Sequence, residues 1–538
     1  MSRRRLTVVV FGVSIAIGLL AAILLPGGGT GQNDQWFILE NGRWILENGF
    51  PREDPFHVWG GSIVVENWLW SVLMYSTWSL TDSPIIPSII VWGLVGVLGA
   101  LAWLISKTVS KSDYAAAVSA IVTVCMVESL NAVVLRPSIA TLTLTMLAVL
   151  MVLKHRETGQ ARWLAMIPAI MLIAFNMHMA LAWLVILVPG VLMLAAVSLR
   201  SIARRWRQAL KLVGQYAVTV VASGAVTLAN PYGLDGVLFL FKTMGVASYE
   251  DSIIELQPLS FDMAGKTEYY VETGTFSWWS IAVLIVLGLI AAVNAHYERG
   301  CSTGDEMSSF ACLSGFMLLA AAIASSCLVA LRMTMLLIYP APFFVPGVAA
   351  VASIAVSRIK TQRLKEALRL SAAVIVVMSA LAMPALSTPG VESLWSWEES
   401  VNSQKPVKAW EILVRAGAEP GDKVWTDGDF GSFLVWKGFK VAHDMRPELI
   451  EPSVDGLPEH HYYDYVDGQL DGDYQAVDRL MADATAAGCK WWVVYEHSRV
   501  DDRLKTDRAK YRLVSSIDDS AAQSVNVYGE RLSVTGDK

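Results

Sequence analysis

Long apolar runs separated by short polar segments dominate this chain. The first, residues 6–25, is about twenty residues long, enough to cross a bilayer as a helix. Similar runs fall at 85–106, 113–131, 136–153, 163–177, 180–199, 213–230, 276–296, 307–328, 331–356 and 371–388. The pattern predicts about eleven membrane-spanning helices. Residues 6–25 follow Arg3, Arg4 and Arg5 as a secretory leader would. The run outlasts a leader's apolar core, however, and Pro26 and three glycines follow it rather than a small-residue cleavage pattern, so it reads as an uncleaved helix. Residues 66–80 are amphipathic and Trp-rich, the pattern of an interfacial or re-entrant helix.

Two polar stretches, 26–84 and 231–275, interrupt the spans as long loops. Beyond residue 388 the pattern changes. Strand-like pieces at 423–425, 433–436 and 490–495 alternate with helical pieces at 407–416 and 474–487, which predicts a small α/β domain. The expected architecture is an α-helical polytopic membrane protein, with a transmembrane domain over 1–388 and a C-terminal α/β domain over 389–538.

Composition strengthens this picture. The 538 residues are 54% hydrophobic and only 17% charged, with a mean hydropathy of +0.46, values of the polytopic membrane class. A net charge of −6 excludes a general nucleic-acid binder, which needs a basic face. The five scattered cysteines have no metal-knuckle spacing. Basic residues supply the orientation. Arg3–Arg5, Lys107 with Lys111, Lys154 with Arg156, the 200–211 cluster and the 358–369 cluster all fall on one side under this count. That side is cytoplasmic by the positive-inside rule, leaving both long loops and the tail outside a plasma membrane.

The remaining polar residues gather at the outer level. Asp34, Glu53, Asp54 and Glu66 lie in the first loop; Glu128, Arg136, His178, Asn230, Glu255 and Arg332 fall at outer helix ends or just beyond. Each has an ordinary alternative: Arg136 and Arg332 as snorkelling cations, His178 as a hydrogen-bonded core residue, Asn230 as a helix cap. Together they suit sugar transfer from a polyprenyl-phosphate carrier. Arginines would stabilise the departing lipid phosphate. A loop carboxylate would take the acceptor's proton. Asp34 is the leading base, with Asp54 and Glu66 as further catalytic candidates and Glu53 as a partner. A divalent cation such as Mg or Mn, held by oxygen ligands, could assist departure, although no metal ligand is assigned. Trp36 and Trp44 are about two helical turns apart, so a helix from about 35 to 48 would set both on one interfacial face and begin at Asp34, which could equally be its N-cap.

Asp34-x-Trp36, Gly42-x-Trp44-Ile45, Pro51-Arg52-x-Asp54-Pro55-Phe56 and Asn67-Trp68-Leu69 resemble the first outer loop of a bacterial family of GT-C-like membrane proteins. The resemblance continues through Arg136-Pro137, Asn176-x-His178, Asn230-Pro231-Tyr232-Gly233 and Glu255-x-Gln257-Pro258. In the tail it includes Asp427-x-Asp429-Phe430-Gly431 and Asp444-x-Arg446-Pro447. It implies a polyprenyl-phosphate-sugar glycosyltransferase with Arg136, His178, Asn230, Glu255, Arg332, Asp444 and Arg446 binding substrate. A lipid-linked sugar and a glycan, lipid or protein acceptor would be the partners. Two positions depart from the family. Ile38 stands where relatives often carry His, and Glu66-Asn67-Trp68-Leu69 replaces His-Glu-Trp-Leu. The alternative function is a non-catalytic subunit that binds, moves or assembles lipid-linked glycans.

In the tail, residues 427–431 read as a strand-to-loop turn, because glycine tolerates backbone angles that other residues avoid. Asp427, Asp429, Asp444 and Arg446 are expected to cluster on one face as an acceptor site. An ordinary Asp–Arg pair tying two loops is the competing reading.

Overall fold

A computed structural model describes residues 34–129, 135–202, 204–243, 306–328, 331–343, 404–444, 464, 473–517 and 524–531. The expected spans at 6–25, 276–296 and 371–388, together with Glu255 and Arg446, lie outside the described residues. The chain divides into two compact units, one of residues 1–28 and 86–391 and the other of 29–85 and 392–538.

The first unit is a helical body. Its described helices are α3 (Ile85–Ser110), α4 (Asp113–Ser129), α5 (Ser138–Thr158), α6 (Arg162–Met177), α7 (Leu184–Ile202), α8 (Trp206–Val226), α9 (Leu234–Thr243) and α10 (Glu306–Leu328). Four of them are long and apolar enough to cross a membrane: Ile85–Ser110, Ser138–Thr158, Leu184–Ser201 and Trp206–Val226. α5 is the hub, packing on α6 and α7, while α8 closes over α6 and α7. Burial separates hub from rim. In α5, 83% of the apolar window is buried, against 22% in α8. Leu210, Val213, Val218 and Val221 of α8 therefore stand exposed, with Leu187 and Leu194 of α7. Apolar side chains facing outward along helices of this length mark a protein that lives in lipid.

Two local features differ from the sequence pattern. Leu234–Thr243 is helical where a long loop was expected. It carries an apolar face of its own, which a window sized for a full span passes over. The apolar run expected as a helix from 331 instead opens with a 3-10 segment, Leu331–Ile338, that ends two residues before Pro340. Proline cannot donate the next helical hydrogen bond and disfavours helix in the residue before it.

The second unit is built on a five-stranded sheet of order β2-β1-β3-β5-β4. Its strands are β1 (Lys423–Thr426), β2 (Lys440–Val441), β3 (Trp491–Tyr495), β4 (Tyr511–Ile517) and β5 (Val525–Glu530). β2, β1 and β3 run parallel. β5 is antiparallel to β3, and β4 to β5. Alternate residues point to opposite faces, and two helical layers cover them. Val424, Val441, Val493, Val525 and Val527 face α11 (Lys405–Arg415) and α12 (Gly428–Trp436) through Ala409, Leu413, Phe430 and Leu434. Trp425, Ala442, Trp492, Val494 and Tyr528 face α13 (Tyr474–Ala486) and α14 (Arg499–Thr506).

The strand expected at 433–436 is helix. A four-residue apolar run cannot by itself distinguish strand from buried helix. Here Phe430, Phe433 and Leu434, spaced by three and four, form the buried face of α12.

The first loop belongs structurally to this sheet. α1 (Asp34–Asn48) and α2 (Trp68–Trp78) pack on each other, and α1 packs on α12. Between them, residues 53–62 fold back as a short hairpin, with a Glu53–Ser62 bridge. His57 bridges Val441 in parallel, with Val58 N–H to Val441 O at 2.9 Å and Val441 N–H to Phe56 O at 2.9 Å. The loop thus extends the sheet beyond its short edge strand β2 and satisfies backbone groups that would otherwise be exposed there.

Candidate functional site

Two places in the second unit concentrate polar side chains. The first is the carboxyl edge of the parallel strands. The chain leaves β1 for β2 on one side through α12, then passes to β3 on the other side through a connection containing α13. α12, after β1, and α14, after β3, cover opposite faces of the sheet, so the chain leaves these two neighbouring strands toward opposite sides. This is the switch-point geometry at which open α/β sheets bind ligands.

Asp427 and Asp444 stand at that edge after β1 and β2, and Tyr495 stands there as the last residue of β3. Asp427 is buried and its carboxylate accepts the Tyr495 N–H at 2.9 Å. The Thr426 hydroxyl donates to His443 O at 2.5 Å, while the His443 Nδ1 lies 3.1 Å from Thr426 O. These bonds lock the ends of β1 and β2 together. Two glycines allow this closeness: a Cβ on Gly431 would overlap the His443 carbonyl, and one on Gly428 would come within 3.2 Å of Asp444 O. The 427–431 segment is therefore a strand-to-helix turn, not the strand-to-loop turn expected. Its Asp429 follows the first residue of α12, where the unpaired N–H groups of a helix start favour negative charge. Half-buried Trp59 from the first loop flanks His443 at 6.4 Å and His57 at 5.3 Å, presenting an aromatic surface beside the edge. Asp427 and Asp444 are thus brought to one edge, and Asp429 shares the turn with Asp427.

The second place is α1. It starts at Asp34 as the spacing predicts, but Trp36 is 3% exposed and does not lie free at an interface. Its ring sits 5.1 Å from Phe433, 5.8 Å from Trp78 and 6.1 Å from Trp436, while Trp44 packs on Phe56 at 5.5 Å. The aromatic residues hold the helix to the tail rather than to lipid. Glu40 and Arg43 sit one turn along. The Arg43 guanidinium lies 2.6 Å from Glu40 Oε2 and 4.9 Å from the Trp436 ring centre. Burial pushes the Glu40 carboxyl up to about 7, against the opposing pull of Arg43. Asn41, adjacent, is 1% exposed, and neither side-chain atom has a hydrogen-bond partner among the described residues. Leaving such an amide unmet costs about 1–3 kcal/mol.

The other sequence candidates fall into distinct settings. Asp54 is buried, its Oδ1 accepting the N–H groups of Phe56 (2.7 Å) and His57 (3.1 Å), which shapes the hairpin. Glu66 is half-buried in the turn before α2. In the helical body, Asn230 is consumed by its own turn. Its Nδ2 donates to Thr227 O and Gly233 O, and its Oδ1 accepts from Tyr232 N–H. Asn176 joins α6 to that turn through Ala229 O at 3.1 Å. His178 is buried as the C-cap of α6, donating its N–H to Ala174 O. Arg136 is half-buried just before Pro137 and α5. Arg332 lies in the 3-10 segment Leu331–Ile338.

Sequence reasoning overlooked Glu40, Asn41 and Trp59. Glu40 and Asn41 carried a signal, two polar residues set among Phe37, Ile38, Leu39, Trp44 and Ile45, but the helix was expected to lie at an open interface where polar groups cost little. Among the described residues, no cluster of three or more His, Cys, Asp and Glu side chains is placed to hold a metal ion.

The fold is similar to that of solved proteins that include an oligosaccharyltransferase and ArnT. In particular, the chain is similar to the Archaeoglobus fulgidus oligosaccharyltransferase AglB solved with an inhibitory peptide and a dolichol-phosphate. The two share 13% identity at a TM-score of 0.56, over 92% of this chain and 70% of that one. The A. fulgidus enzyme in complex with Zn and sulfate also matches, with 13% identity, a TM-score of 0.51, and 90% and 68% of the two chains covered. ArnT from Cupriavidus metallidurans, in the apo state, matches at 13% identity and a TM-score of 0.52 over the full length of both chains. No family model and no curated protein matches the sequence.

Proposed function

We propose that the protein is a membrane glycosyltransferase that moves a sugar from a polyprenyl-phosphate carrier to an acceptor outside the plasma membrane. One observation carries this reading. The helix that starts at the base candidate Asp34 is fixed to α12, and α12 starts at the Asp427–Asp429 turn. A proposed base and a proposed acceptor edge are thus tied through one helix pair in one unit. Such coupling is what transfer requires, because attack depends on holding acceptor and base in one geometry. The solved neighbour with a dolichol-phosphate and an inhibitory peptide adds support by fold.

In the proposed mechanism, the acceptor hydroxyl lies against Asp34, which takes its proton as the oxygen attacks the anomeric carbon. The bond from that carbon to the carrier phosphate breaks, and the phosphate leaves as an anion. Arg136 and Arg332 are the proposed counter-charges for it. Asp427, Asp444 and the Trp59 ring hold the acceptor. The N-terminus is proposed to be cytoplasmic and the tail outside.

The reading is tested by incubating purified full-length protein with polyprenyl-phosphate-linked monosaccharides and envelope glycan, lipid and protein fractions, then following release of free polyprenyl phosphate. Acceptor-dependent release is expected. Binding of the carriers without release under every acceptor fraction would instead support a carrier-binding subunit.

A further inference from the structure

The turn between α7 and α8 gathers positive charge where a helix start disfavours it. Arg204 and Arg205 precede α8, Arg207 and Lys211 lie within it, and all four are exposed. Negative charge is favoured at a helix start, and Asp113, Asp235 and Asp501 supply it in α4, α9 and α14. The first turn of α8 holds no acidic residue. Arg207 and Lys211 are four apart, a spacing at which like charges repel on a helix face. Arg204 takes a left-handed backbone, φ 58°, at a helix end where glycine or asparagine is the usual occupant. Its N–H donates to Ser201 O at 3.0 Å and that of Arg205 to Arg200 O at 2.7 Å, which closes the turn tightly.

The basic residues where α3 meets α4 and where α5 ends have a different setting. Lys107 pairs with Asp113, and Lys111 and Lys154 share Glu157 at 3.0 and 2.8 Å. Among the described residues, no carboxylate pairs with Arg204, Arg207 or Lys211. Setting the orientation of a span requires basic residues on one side. It does not require them to stand unpaired around an exposed apolar row.

Such a row begins among these cations. Trp206 is 61% exposed and Leu210 67%, and the row continues through Val213, Val218 and Val221. At 3.6 residues per turn, the row and the cations share about half of the helix circumference. From Leu210 to Val221 the helix rises about 16 Å, close to half of the roughly 30 Å hydrocarbon core. One side of α8 therefore passes from cations, past an indole suited to headgroup level, to an apolar stripe one leaflet deep. A lipid phosphate at the turn would accept hydrogen bonds from the guanidinium groups and relieve their repulsion, while an acyl chain covers the stripe. A zwitterionic headgroup would bring an ammonium that the same cations repel.

We propose that the α7–α8 turn is a binding site for a phospholipid of net negative charge, its phosphate held by Arg204, Arg207 and Lys211 beside Trp206.

The experiment places full-length protein in phosphatidylcholine nanodiscs with a small fraction of photoactivatable phosphatidylglycerol or, in parallel, photoactivatable phosphatidylcholine. The reactive group is on the acyl chain, and crosslinks are mapped by peptide mass spectrometry. In the wild type, residues 204–221 should be labelled at least ~10-fold more by phosphatidylglycerol, since each cation near an anionic lipid contributes about 5-fold. The triple variant Arg204→Gln, Arg207→Gln, Lys211→Gln should bring that ratio close to one. The triple variant Lys107→Gln, Lys111→Gln, Lys154→Gln removes the same charge from paired positions and should keep it. Equal labelling of 204–221 by the two lipids in the wild type overturns the proposal, whether or not the variants fold. A ratio preserved in the first variant overturns it too, as does one lost equally in both, which would be an effect of net charge alone.

Discussion

The helical body and the sheet-based unit meet their buried polar groups in different ways. In the body, many buried hydroxyls turn back on their own helix. Thr143 donates to Ile139 O at 2.8 Å and Thr219 to Gln215 O at 2.9 Å. In the second unit the bonds cross between elements. Buried Asp501 of α14 accepts from Asn526 and Tyr528 of β5 at 2.9 and 2.6 Å, from the His497 N–H at 2.8 Å, and pairs with Lys505 at 2.8 Å. Where lipid surrounds a helix, each segment must satisfy its own polar groups. Where water is the solvent, they can tie distant elements together. Specific chemistry is more easily built on the second plan, and both candidate places lie there.

The largest effect expected from this contrast is at Asp501. Asp501→Ala strands Asn526 and Tyr528 in the core, and the tail should lose about 3 kcal/mol or more of stability, measurable by denaturant or by limited proteolysis. Burial alone would raise the Asp501 carboxyl, but bonds from Lys505, Tyr528, Asn526 and the His497 N–H outweigh it and hold it low. The stability it contributes is therefore present above the ordinary carboxylate range and lost as pH falls through the lowered value.

Glu40 has the opposite sign. Its carboxyl is raised from 4.5 to about 7, with burial the main cause. The stability linked to its proton is present in full below 4.5 and is lost as pH rises toward 7. Melting curves across that window should slope downward for the wild type and lose that part of the slope in Glu40→Gln. An unchanged slope would mean that the buried Glu40–Arg43 pair is ionised throughout.

The smallest effect is expected in the body. Thr143→Val removes a hydroxyl bonded only to its own helix and should change stability by less than about 1 kcal/mol. A large loss there would erase the contrast between the two regions.

How much of this was legible in the sequence follows the same division. Hydropathy locates α3, α5, α6 and α7 to within a few residues, because a span is a local property. α1 was legible too, from Asp34 and the Trp36–Trp44 spacing. Its partner was not: Trp436 lies 400 residues beyond Trp36, and no local pattern encodes that contact. The 433–436 run was misread for a related reason, since only its packing shows that Phe430 and Phe433 share a helical face. The bonding of Asn230 in its own turn was visible as turn chemistry in Asn-Pro-Tyr-Gly. The unmet amide of Asn41 became visible only once its surroundings were known to be closed.

The central claim concerns Asp34, and replacing its carboxylate by an amide tests it most directly. Asp34→Asn keeps an oxygen able to cap α1 but removes the base. Release of polyprenyl phosphate from a sugar-bearing carrier should fall by about 10²–10⁴-fold, with carrier affinity and melting temperature near those of the wild type. Transfer at the wild-type rate by a folded Asp34→Asn protein would reduce Asp34 to a helix cap and contradict the account.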